Sequence, residues 1–141
     1  VAKYDDVAKE MIADQSHVPL LADAEFAISE LAKQFHVIFI TARPPEWEAA
    51  TRQWFSQHLG SNEIELYFAG NYHDTTALTK GELAVQLNAE LLIDDNIKNC
   101  QSALDNNLKA ILFGNYGWQN EAPTDMIRCE GWPAVLEYLG V

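Results

Sequence analysis

Val37-Ile38-Phe39-Ile40 is an unbroken apolar run, rich in β-branched and aromatic residues, and it reads as a buried strand. It stops at Thr41-Ala42-Arg43 and then at Pro44-Pro45, which cannot continue a central strand but suit the first turn of a helix. Trp47, Ala50, Trp54 and Leu59 follow at helical spacing and Gly60 supplies a C-terminal stop, so the spacing predicts a helix over residues 46–59. A buried strand thus delivers a hydroxyl and a guanidinium to the start of a helix. In open α/β sheets ligands bind outside the carboxyl ends of strands, and helix N-termini favour anions. Thr41 and Arg43 are candidate phosphate holders on that ground. The competing account is that Thr41 only caps the helix and Arg43 makes a surface ion pair.

The same alternation runs along the rest of the chain. Residues 1–15 carry Tyr4, Val7, Ala8, Met11 and Ile12 at mostly helical spacing, and Ala22 to Gln34 reads as a second helix with Asp23 as its N-cap. His17 falls in the connection between them, which ends at Pro19, and is assigned no function. Ile64 to Ala69 is a strand candidate, followed by a polar loop over 70–76. His73 and Asp74 in that loop have no second pair at metal-ligand spacing, which favours an ordinary loop over a metal site.

Leu83, Ala84 and Leu87 give one face of a helix over 78–88, and Lys80 sits at its start. A cation there opposes the helix dipole and is costly unless an anion lies close. Leu91-Leu92-Ile93 is a buried strand by composition and runs straight into Asp94-Asp95-Asn96. Adjacent carboxylates repel, and a hard divalent cation such as magnesium would relieve that cost. The alternative is that one of the two aspartates caps a helix over 96–107. Lys109 to Phe113 is a further strand, ending in Gly114-Asn115-Tyr116-Gly117-Trp118. Its glycines predict a mobile loop whose rings either stack on a base or aryl group or close over core. Residues 119–127 read as exposed loop, and Trp132 to Leu139 as a closing helix with Pro133 in its first turn.

Strands alternating with helices imply a parallel sheet in a doubly wound α/β domain. The 141 residues suffice for one domain with its own core. A formal net charge of −12 argues against a nucleic-acid polymer or a membrane surface as partner. It also opposes long-range steering of a phosphorylated substrate, so a phosphate site here needs local positive charge or a metal ion. Cys100 and Cys129 fit no zinc spacing; Cys100 reads as a small core residue, and a reducing, cytoplasmic compartment is expected. No apolar run approaches membrane-spanning length.

In order and context, Ile40-Thr41-Ala42-Arg43, Lys80 and Leu91-Leu92-Ile93-Asp94-Asp95-Asn96 resemble three of the four motifs of the haloacid dehalogenase-like phosphohydrolase superfamily, most of all its 5'(3')-deoxyribonucleotidase-like branch. The resemblance spans roughly residues 20–140. It implies a Rossmannoid three-layer fold over 1–141, with 1–21 a remnant of an insert or cap and 22–141 the core. It also implies a magnesium-dependent phosphomonoesterase acting through an aspartyl phosphate on a nucleotide or similar small phosphorylated substrate. Thr41 and Lys80 would be catalytic; Thr41, Ala42, Arg43 and Lys80 would contact substrate; Asp94 and Asp95 would bind or orient magnesium. Receiver domains use similar residues, but with the acids first and the lysine last.

The family's first motif, an Asp-x-Asp-x-Thr-like stretch bearing the nucleophile, is not among these residues. Asp5 and Asp6 follow no apolar strand and read as a solvated helix face. In the family that first strand lies mid-sheet, between the strands carrying Thr41 and Asp94. The expectation is therefore a carboxy-terminal part of a longer phosphatase, with the first strand preceding Val1 or supplied by another chain. A homo-oligomer is compatible with the same gap. The alternatives are an inactive relative that binds a phosphorylated ligand or protein partner, and an unrelated α/β domain.

Overall fold

Ala110, Ile111, Leu112 and Phe113 are all buried, as expected of a strand covered on both faces. They belong to β4 (Lys109–Phe113), the middle strand of a parallel sheet ordered β3-β4-β5, with β3 at Leu91–Asp94 and β5 at Arg128–Cys129. The computed structural model describes residues 9–60, 64–69 and 77–141. The chain divides into two compact units, Val1–Asp74 and Thr75–Val141. It is mixed helix and strand, and its strand pairs are all parallel among the described residues.

Alternation along β3 and β4 sorts the second unit into layers. Leu92, Ala110 and Leu112 pack with Cys100 and Ala103 of α4 (Ile97–Asp105) and with Met126. Ile111, Phe113 and Cys129 pack on the other face with Val135 of α5 (Trp132–Leu139). The helix α3 (Lys80–Gln86) lies against α4. Its start is fixed by a capping box: the Thr79 hydroxyl accepts the Glu82 N–H at 3.2 Å. Gly81 is buried where the two helices meet.

The first unit contains α1 (Ala24–Ala32), β1 (Phe39–Thr41), α2 (Glu48–Leu59) and β2 (Leu66–Phe68), with β1 and β2 in register from Phe39 opposite Leu66 to Thr41 opposite Phe68. Residues 9–13 are helical. Ala24, Ala27 and Leu31 are the buried stripe of α1. A turn of 3-10 helix at Pro45–Trp47 leads into α2, which Gly60 ends at φ 58°, as its position in the sequence predicts. Trp54 anchors α2, donating its indole N–H to the Val18 carbonyl at 2.7 Å and packing edge-on to Phe55.

Several expectations change. β1 is half-buried along its length rather than buried; among the described residues its sheet has two strands and pairs it on one edge. Asp23 stands at the N-cap of α1 with a left-handed backbone (φ 66°) and no capping hydrogen bond from its side chain. The stretch 119–127, read as exposed loop, buries Gln119 and Met126. β5 escapes sequence reading because two residues carry no period. The loop holding His73 and Asp74, and Asp5 and Asp6, lie outside the described residues. No helix among the described residues is long and apolar enough to cross a membrane.

Candidate functional site

β3 ends on Asp94, and the helix that precedes it begins on Lys80. The strand–helix order therefore brings the start of α3 and the carboxyl end of β3 to one place. The Lys80 ammonium donates to Asp94 Oδ2 at 2.7 Å, with side chains 16% and 6% exposed. This answers the sequence puzzle of a cation at a helix start: its anion is fourteen positions along the chain, on a neighbouring strand. Asp94 Oδ1 is held as well, accepting the Asn96 backbone N–H at 2.9 Å and the Asn99 side-chain amide at 3.0 Å. A buried carboxylate with a cation and two amide donors is fully paired, which is what burial of a charge demands.

Neither aspartate caps α4. Asn96 does, its side-chain oxygen accepting the N–H groups of Lys98 at 2.9 Å and Asn99 at 3.2 Å. Asp94 instead orients the cap through its bond to the Asn96 N–H. Asp95 is exposed, and its backbone carbonyl accepts from Trp118 Nε1 at 3.1 Å and Gln119 Nε2 at 2.8 Å.

Gln119 is the residue that sequence reading missed. It is fully buried, and its amide donates to the carbonyls of Asp95 and Phe113 (2.7 Å) while its oxygen accepts from Tyr116 N at 3.1 Å and Arg128 at 3.2 Å. It ties the loop after β3 to the loop after β4. A single buried glutamine leaves no periodic signal, so only the polar letter amid Trp118 and Asn120 marks it. The aromatic loop expected to be mobile is thus hydrogen-bonded in place.

The other candidates lie in the first unit. Thr41 ends β1, and its hydroxyl accepts the Arg43 backbone N–H at 3.1 Å. It does not cap α2, since the N-cap there is Trp47 and no side chain bonds across it. The Arg43 guanidinium turns inward, donating to Gln15 and, at 3.3 Å, to Thr51, both buried. Burial pushes its pKa below the ordinary arginine value. Ala42 is exposed between them.

Beneath Asp94, the Cys100 thiol is fully buried and faces the carbonyls of Asp94 (3.4 Å) and Ile111 (3.6 Å). Burial first, and the Asp94 charge second, push its pKa up to about 12, and burial raises that of Cys129. The thiolate is the reactive form. Neither thiol should therefore react with an aromatic disulfide reagent at pH 8 in the folded protein, and both should in denaturant; fast native labelling of Cys100 would contradict this packing. A thiol pKa raised in the folded state means the folded chain holds the proton longer, so the Cys100 contribution to stability is lost as pH rises from the unfolded value of 9.0 towards about 12.

No group of three or more His, Cys, Asp or Glu side chains converges among the described residues. At Asp94-Asp95 the donors are carboxylate oxygens, Asp94 already engaged by Lys80 and Asp95 exposed. Magnesium ordinarily takes one or two carboxylates and completes its shell with waters and substrate phosphate; here both Asp94 oxygens are already taken up by Lys80, Asn96 and Asn99. Compared with models of known protein families and with curated proteins, the chain finds no match.

Proposed function

We propose that the Lys80–Asp94 centre belongs to a magnesium-dependent phosphomonoesterase of the haloacid dehalogenase-like kind, acting on a nucleotide or similar small phosphomonoester. One observation carries the reading: a nearly buried lysine is clamped by a strand-end aspartate, with a second, exposed aspartate next to it. Phosphoryl transfer asks mainly for positioning and charge neutralisation. Lys80 supplies local positive charge for a phosphate in a chain of net charge −12. Asp94 holds the ammonium in place, and its own orientation is set by Asn96 and Asn99. Asp95 would hold magnesium, with Asp94 beside it. When bound, the metal would neutralise phosphoryl oxygens and orient the substrate. For Thr41 and Arg43 the substrate-contacting role rests on their place after a strand's carboxyl end and on the motif resemblance; for Ala42 that role, and for Thr41 the catalytic one, rests on the resemblance alone. The nucleophilic aspartate would come from outside these residues.

The second reading is a binding module for a phosphorylated ligand, in which the Lys80 ammonium clamped by Asp94 would hold the phosphate without turnover. Phosphate release from p-nitrophenyl phosphate and from nucleoside monophosphates, measured with a nucleophile-bearing first-motif segment supplied in cis or as an added chain, separates the two. The enzyme reading expects release that needs magnesium, stops with EDTA and falls about a hundredfold or more in Lys80→Ala. No release, but a phosphate-dependent rise in Tm that Lys80→Ala abolishes, selects the binding module. Neither response would sink both.

A further inference from the structure

Trp118 is 60% exposed, yet it is not a loose side chain. Its ring lies flat on Tyr116, centroids 4.4 Å apart and planes 7° from parallel. Its indole N–H is spent on the Asp95 carbonyl at 3.1 Å. The loop beneath is fixed by the buried Gln119, which bonds the Asp95 carbonyl and the Tyr116 N–H. Gly114, at φ 93°, makes the stack possible: a Cβ there would lie 2.2 Å from the Tyr116 ring.

An indole fixed in this way offers a ligand one thing, a π-face. Its hydrogen-bond donor is occupied, and its rotamer freedom was lost on folding rather than on binding. Asn115, Gly117 and Asn120 around it are polar or small and exposed, so the apolar area amounts to one ring. That is too little to dock a protein, and it matches one planar ring of a ligand. The indole is also hydrogen-bonded to Asp95, the immediate neighbour of Asp94, so the platform adjoins the Lys80–Asp94 centre.

We propose that the Trp118–Tyr116 stack is the specificity element for an aromatic leaving group, so that the substrate is a phosphomonoester bearing a planar ring, a nucleobase or an aryl group. The identification of the phosphate end rests on the function proposed above; the ring end rests on the loop geometry. Base-on-aromatic stacking is tolerant of which base is present, so discrimination falls between ring-bearing and ring-free phosphates.

Titration calorimetry on the whole chain in magnesium tests it with AMP, dTMP, phenyl phosphate, ribose 5-phosphate and adenosine. The nucleotides should bind about tenfold or more tightly than ribose 5-phosphate. Trp118→Ala should erase that gap by weakening the nucleotides about tenfold or more while ribose 5-phosphate loses far less, and Trp118→Phe should keep most of it. Phenyl phosphate binding as tightly as AMP assigns the platform to aryl groups in general; weaker binding assigns it to nucleobases. The two ends fail separately. Ribose 5-phosphate binding that is indifferent to Lys80→Ala refutes the phosphate end, whereas the ring end is then still read by adenosine and its dependence on Trp118. A wild-type chain that does not prefer ring-bearing ligands, or a Trp118→Ala variant that weakens all ligands equally, overturns the proposal.

Discussion

Lys80→Ala should lower the unfolding free energy by about 3–5 kcal/mol, because it leaves the Asp94 carboxylate buried without its cation. The ion pair is 2.7 Å long with both side chains largely removed from water, so screening discounts it little. Asp94 would keep its bonds from Asn96 and Asn99, which moderates the loss and places it towards the lower end. Lys33→Ala provides the contrast. Its pair with Glu30 is 2.5 Å long, but Lys33 is 65% exposed, and exposed pairs contribute about 0–1 kcal/mol. Urea unfolding of the two variants reads the difference directly. Adding Asp94→Asn to Lys80→Ala should restore part of the stability, since the orphaned charge is removed. A Lys80→Ala loss no larger than that of Lys33→Ala would mean that the pair is solvated, and would also weaken the case for a preorganised phosphate site.

Gly81→Ala should destabilise the fold by about 3 kcal/mol or more, against the ordinary sign of the change. In an exposed helix, alanine is favoured over glycine by about 1 kcal/mol. Here the added Cβ would lie 2.4 Å from Ser102 Oγ, 2.5 Å from the Ser102 carbonyl carbon and 2.6 Å from the Ala103 nitrogen. The hydroxyl can rotate, although it is paired with Thr79 Oγ1 at 2.7 Å; the α4 backbone cannot give way without moving the helix. Pushing α3 away from α4 also displaces Lys80, the residue next to Gly81, from Asp94. The variant should therefore lose phosphate-dependent stabilisation along with urea resistance. Stability equal to or above the parent would show that α3 and α4 are not in backbone contact.

The residues of the candidate centre stand out in the sequence, because each is locally anomalous. Lys80 stands at the wrong end of a helix, and Asp94-Asp95 close an apolar strand. The pairing was not legible. It depends on the chain path that brings the start of α3 to the carboxyl end of β3, and on burial that makes Asp94 take Lys80, Asn96 and Asn99 as partners together. Asp94 and Asp95 looked equivalent; tertiary structure made one a buried anchor and left the other exposed.

Sequence by itself determined which apolar runs hold strands and where the helix at Gly60 stops, since periodicity, proline and Gly60 act within a few residues, although β1 begins only at Phe39 and β2 only at Leu66. β4 (Lys109–Phe113) and α5 (Trp132–Leu139) fall where the pattern puts them. Only tertiary structure decided the cap of α4, the half-burial of β1, the contact at Gly81 and the place of Gln119. Each of these is fixed by atoms distant along the chain, or by what covers a strand's second edge, and the free energy of such contacts leaves no trace in local composition.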